Sequence, residues 1–152
     1  MAKTVKKEPK EKDPNQELKI LKTKKQYRML FGFVLVLTSI AFLVSFISFF
    51  LHGQADQSSV DALTDRSESA QNWLGKFGAY IADLFIYRGF GVAAFLLVKL
   101  LFLSGAFLIL DLPIRKLKNT WFWDLFALII VSILFGFFAD NLPELGGTVG
   151  YE

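Results

Sequence analysis

The sequence predicts an all-α, polytopic helical membrane protein with three transmembrane helices plus an outer-face amphipathic helix. Three observations carry that expectation. Hydrophobic residues make up 53% of the 152, with Phe alone supplying 17, and they gather into helix-sized blocks separated by charged ones. Such segregation suits runs solvated by lipid, where the backbone must satisfy its own hydrogen bonds. One block, MLFGFVLVLTSIAFLVSFISFFL at residues 29–51, contains no ionisable group. Finally, Lys and Arg crowd into alternate connections, the signature that orients spans in a bilayer.

The chain opens on a Lys-rich tail with Pro9 and Pro14 and almost no apolar residue before Leu18. Residues 1–17 are therefore expected to be a disordered basic cytoplasmic tail, and 18–51 a helix leading into span 1. At about 1.5 Å per residue, residues 29–51 reach roughly 34 Å, enough for a hydrocarbon core of about 30 Å. Thr38, Ala41, Ser45 and Ser48 keep one side of that helix small enough for a neighbour. A cleavable signal peptide is rejected, because the polar leader is long and the apolar core far exceeds about 15 residues. Residues 52–71 form a polar periplasmic loop.

The next apolar block, 77–110, would extend roughly 51 Å as one helix, so it must break, tilt or lie along the surface. Arg88, Gly89 and Gly91 mark the expected break. Residues 72–88 are then an interfacial amphipathic helix with Trp73, Phe77, Tyr80, Ile81, Leu84 and Phe85 on one broad face. The alternative is a plain N-terminal extension of the second helix. Span 2 covers 89–110, ends at Asp111 and Pro113, and carries a narrow stripe of Gly91, Ala94, Val98, Leu101 and Gly105. A basic cytoplasmic loop, 111–119, leads to span 3 at 120–140, with Trp121 and Trp123 at an interface and Ser132 and Gly136 as a small pair. Residues 141–152 read as a glycine-rich periplasmic loop, with Pro143, Gly146, Gly147 and Gly150. Their ending in mid-loop predicts a fourth span further on.

Residues 1–28 hold ten Lys/Arg against four acids, and 52–71 hold only Arg66. Arg115, Lys116 and Lys118 follow in 111–119, and 141–152 hold no cation. The alternation fits three crossings from a cytoplasmic N-terminus in a bacterial inner membrane. The basic tail's default role is orientation; binding of anionic lipid or DNA is the alternative.

Enzyme chemistry finds little footing. No cysteine and a single histidine, His52, exclude thiolate nucleophiles and Cys-based metal sites and leave no zinc cluster. Lys99 lies mid-way along span 2, where a charge costs about 2.5–3.5 kcal/mol at the helix centre. It is read as snorkelling or facing an interface, with a buried ion pair or an ion path as the functional alternatives. Asp124 and Asp140, at opposite ends of span 3, are expected to stay hydrated, and Asp83 to be solvated at the interface or paired with Lys76 or Arg88. No catalytic, metal or cofactor-binding residue is assigned.

The run NWLGKFGAYIADLFIYRGFGVAAFLL resembles the N-terminal membrane domain of FtsK/SpoIIIE-type DNA translocases. The matching positions are Asn72, Gly75, Gly78, Ala79, Ala82, Asp83, Phe90 and Gly91, and GGTVGY at 146–151 resembles the family's glycine loop before its fourth span. Where that family often has a proline midway through the second span, this chain has Val98 and Lys99. The resemblance implies a membrane anchor and assembly domain for an ATPase motor that pumps DNA at the division septum. It further implies a homo-oligomer, a hexamer by analogy, and septal division proteins as partners. DNA, ATP and Mg²⁺ would be handled only by the motor; no GxxxxGK[ST] phosphate loop occurs here. The rival readings are a small transporter or channel subunit using Lys99, and an inner-membrane interaction protein.

Overall fold

A computed structural model describes residues 14–60, 71–138 and 143–151. All regular structure among the described residues is helical, in the order α1 (Pro14–Val60), α2 (Gly75–Ala82), α3 (Phe95–Ile109), α4 (Lys118–Phe138) and α5 (Pro143–Tyr151). A π-helical segment, Asp83–Phe90, and a 3₁₀ turn, Gly91–Ala94, join α2 to α3, and a second 3₁₀ turn, Ile114–Leu117, precedes α4. Three stretches are long and apolar enough to cross a membrane: Leu18–His52, Gly75–Ile109 and Ile114–Phe138.

α1 is 47 residues long, roughly 70 Å, so more than half of it exceeds any bilayer core. It starts at Pro14, three residues before the expected end of the tail, as suits a proline whose missing N–H falls among the unpaired first-turn donors. It also runs to Val60, well into the segment read as a loop. The remaining loop residues, 61–70, the tail before Pro14, and Asp140 lie outside the described residues.

α3 packs along α1 through glycine. A methyl group on Gly105 would meet the Gly32 carbonyl and the Val36 side chain, each at 2.7 Å. Below van der Waals contact on both sides, neither backbone can yield, so the two helices approach as closely as their main chains allow. Further along, Phe46, Phe49, Ala82, Ile86, Ala94 and Val98 form the buried core, with Phe42, Phe85 and Phe95 packed against it. The rings of Phe46 and Phe95 meet edge to face at 5.6 Å. This core lies where α1, α2, the π segment and the start of α3 converge.

α3 closes on a Schellman arrangement. The Leu112 N–H reaches the Phe107 carbonyl (2.9 Å), the Asp111 N–H reaches Leu108 (3.3 Å), and Asp111 takes a left-handed φ of 57°. An aspartate there, in place of the usual glycine, leaves a carboxylate at the connector. It pairs with Lys25 at 3.3 Å and Arg28 at 3.1 Å on α1, and Arg28 also donates to the Leu112 carbonyl.

Candidate functional site

The motif residues of 72–91 assemble around the C-terminal half of α1. Asn72 is almost fully buried and holds two elements at once: its Oδ1 accepts the Leu74 N–H (3.1 Å) while its Nδ2 donates to the Ser45 carbonyl (3.0 Å). Ser45 in turn donates to the Gly78 carbonyl (2.6 Å), and the Trp73 N–H donates to Ser48 Oγ (3.0 Å). The small side of α1 thus does more than clear space. Two of its four residues bond the motif, whereas Thr38 turns back onto its own helix at Val34.

α2 divides its faces differently from the single broad apolar face expected. Gly78, Ala79 and Ala82 are buried against α1, and Ile81 and Phe85 turn into the core. Trp73, Phe77, Tyr80 and Leu84 remain exposed. The small residues win the protein-facing side because they permit close approach, and the large ones are left facing outward.

For Asp83 the structure selects pairing with Arg88 over solvation at the interface. The aspartate is 4% exposed, and it accepts from Arg88 Nε at 2.7 Å. In an α-helix, partners meet at i+3 or i+4; the wider π turn brings i and i+5 onto one side. The same segment ends where predicted. Gly89 departs from helical geometry, and Gly91 takes a φ of 60°.

That break receives α5, which is another departure from expectation. Rather than forming an open loop, residues 143–151 are helical on both sides of a kink at Gly147 (φ 65°). They settle between the π segment and α4. A methyl on Gly147 would strike the carbonyls of Gly89 and Ile86, and one on Gly91 would strike the Leu145 carbonyl. Across the other side, Gly136 faces Gly150, Gly146 abuts the Gly136 backbone, and Ser132 donates to the Gly146 carbonyl (2.6 Å). Thr148 Oγ1 donates to the Tyr87 carbonyl (3.2 Å). The two motif patches, distant in sequence, therefore form one glycine-lined seam. Phe90 stands beside it, half-buried.

Lys99 stands apart from that seam. Its ammonium lies 2.9 Å from Asp124 Oδ1 on α4, with the lysine side chain 50% exposed and the aspartate side chain 12%. Asp124 is thus buried rather than hydrated, which overturns the expectation that span 3 keeps its carboxylate in water. The signal was available: Lys99 lies twelve residues before Asp111 and Asp124 twelve after Leu112, so an antiparallel hairpin centred there sets them level. One turn nearer the connector, Trp121 Nε1 donates to Ser104 Oγ (3.0 Å). On its other side Lys99 edges an apolar cleft of about 380 Å³ between α1 and α3, lined by Ser39, Ile40, Leu43, Phe95, Val98 and Phe102.

A polar-stapled, glycine-seamed set of helices, with three stretches fit to cross lipid, defines a polytopic helical membrane domain. Over residues 24–152 the chain matches the family described as the 4TM region of DNA translocase FtsK/SpoIIIE, and it belongs to that family. The match is to the membrane region and not to the motor. Comparison with curated proteins and with solved structures gave no match.

Proposed function

We propose that this chain anchors and helps assemble a septal DNA translocase in the bacterial inner membrane, acting in cell division and chromosome segregation. The observation that carries the reading is the family match across residues 24–152, which takes in both glycine patches and, but for the first six residues of Leu18–His52, the three apolar stretches. The N-terminus of α1 and the 111–119 connector face the cytoplasm, as the distribution of Lys and Arg requires. The bonded outer half, with Asn72, Ser45 and Ser48, makes a firm base from which a motor can be held at the membrane. ATP, Mg²⁺ and DNA belong to that motor, and septal division proteins and further copies of the chain are the partners at the membrane.

The Lys99/Asp124 pair supports a structural part for the lysine over an ion path, because its ammonium is already engaged by a neighbouring helix. The test is to express the chain with a fluorescent tag in dividing cells and cross-link it in the membrane. Midcell enrichment and a ladder of multimers are expected. Uniform distribution around the membrane with monomers only would contradict the proposal.

A further inference from the structure

The connector between α3 and α4 gathers cations that the protein does not neutralise. Its one carboxylate in reach, Asp111, is engaged by Lys25 and Arg28. Those two also sit at the C-terminal, electronegative end of α3, so they are doubly compensated. Arg115, Lys116 and Lys118 have neither advantage. They are exposed, no acidic side chain among the described residues pairs with them, and they stand at the start of α4. α4 has no acidic residue in its first turn, so three positive charges crowd the positive end of a 21-residue helix. Such an arrangement is in conflict with itself unless an anion is supplied.

The surroundings say which anion. Leu117 is buried and pins the turn to the bundle, while Leu112, Ile114, Phe122 and Trp123 stay exposed between and beside the cations. A surface meant for a soluble polyanion would have no use for large apolar side chains at that level; a lipid presents a phosphate and hydrocarbon together. We infer that Arg115, Lys116 and Lys118, at the head of α4, bind the phosphate of an anionic phospholipid whose chains lie against Ile114, Phe122 and Trp123. The site is fixed in place by the latch of Asp111 onto α1, so it is a preformed site and not a diffuse basic tail. The inference stands on the connector's geometry and does not require the translocase reading.

The experiment uses the full chain with Trp73→Phe, which leaves Trp121 and Trp123 as the fluorophores, reconstituted in phosphatidylcholine vesicles. Brominated phosphatidylglycerol and brominated phosphatidylcholine are compared as quenchers at equal mole fraction. Phosphatidylglycerol is expected to win by at least about fivefold, the contribution of one engaged cation. The variant R115Q/K116Q/K118Q should bring the ratio close to one, while K19Q/K22Q/K24Q, which removes as many charges from α1, should leave it unchanged. A ratio near one in the unsubstituted connector overturns the inference whatever the variants do. So does equal loss in both variants, which would mean diffuse attraction, or displacement of the lipid by short duplex DNA, which would assign the surface to nucleic acid.

Discussion

α3 meets its two neighbours by opposite means. Toward α1 it removes side chains: Gly105 lies against Gly32, and the contact is made by main chain and by Val36. Toward α4 it adds them: Lys99 reaches Asp124, and Ser104 receives the Trp121 indole N–H. Inside a bilayer both are sound solutions, since lipid is as apolar as leucine and burial alone gives no reason for helices to associate. The difference lies in how each fails. A steric contact breaks when atoms are added, a polar one when charge or hydrogen-bonding capacity is removed without a change of volume.

The largest loss is therefore expected at the glycine contact. Gly105→Leu would force its side chain against the Gly32 carbonyl and the Val36 backbone, which cannot move aside, and should cost about 3 kcal/mol or more. Thermal melting or steric trapping in mild detergent reads this as lost stability, and Gly32→Leu should reproduce it from the other side.

Next comes the ion pair. Asp124→Leu leaves a mid-membrane ammonium without its partner and should destabilise by about 2 kcal/mol, below the usual range for a broken buried pair because Lys99 is half exposed. Removing both charges together should recover most of that loss. The double-mutant cycle is expected to give a coupling of about 1–2 kcal/mol, near the upper end for polar contacts between membrane helices.

Smaller effects belong to single hydrogen bonds. Ser45→Ala removes the bond to the Gly78 carbonyl and should cost about 1 kcal/mol, and Trp121→Phe about 0.6 kcal/mol. If Trp121→Phe proved costlier than Gly105→Leu, the ranking of steric above polar contacts would be wrong.

The same contrast explains what could be read from the sequence. Lengths and glycines were legible, because the number of residues needed to cross lipid is fixed by the helical rise and because a glycine pair announces a break. The turn at residues 89–91 and the stripe from Gly91 to Gly105 came directly from that reasoning. Partners were harder to see. Gly105 could be recognised as a contact residue, but nothing local to Gly32 says that it lies opposite. For Asp83 both Lys76 and Arg88 were legible as partners, and only the widening of the helix into a π turn, which brings i and i+5 together, selects Arg88 over solvation at the interface. Asp124 was misjudged because it was considered alone at the end of span 3, although its hairpin position matches that of Lys99. The helical form of α5 was hidden for another reason. Gly146, Gly147 and Gly150 favour a loop in isolation and become a helix pair only because Gly89, Gly91 and Gly136 offer a surface without side chains.

The central claim is that this chain threads a bilayer three times, with its two glycine patches meeting on one side and the cationic connector on the other. The absence of cysteine allows a direct measurement. Single variants Trp73→Cys, Thr148→Cys and Asn119→Cys, all at exposed positions, are treated in intact spheroplasts with a maleimide that cannot cross the membrane. Positions 73 and 148 should label at once and position 119 only after permeabilisation. Labelling of 119 in intact spheroplasts, or protection of 148 alongside labelling of 73, would contradict it.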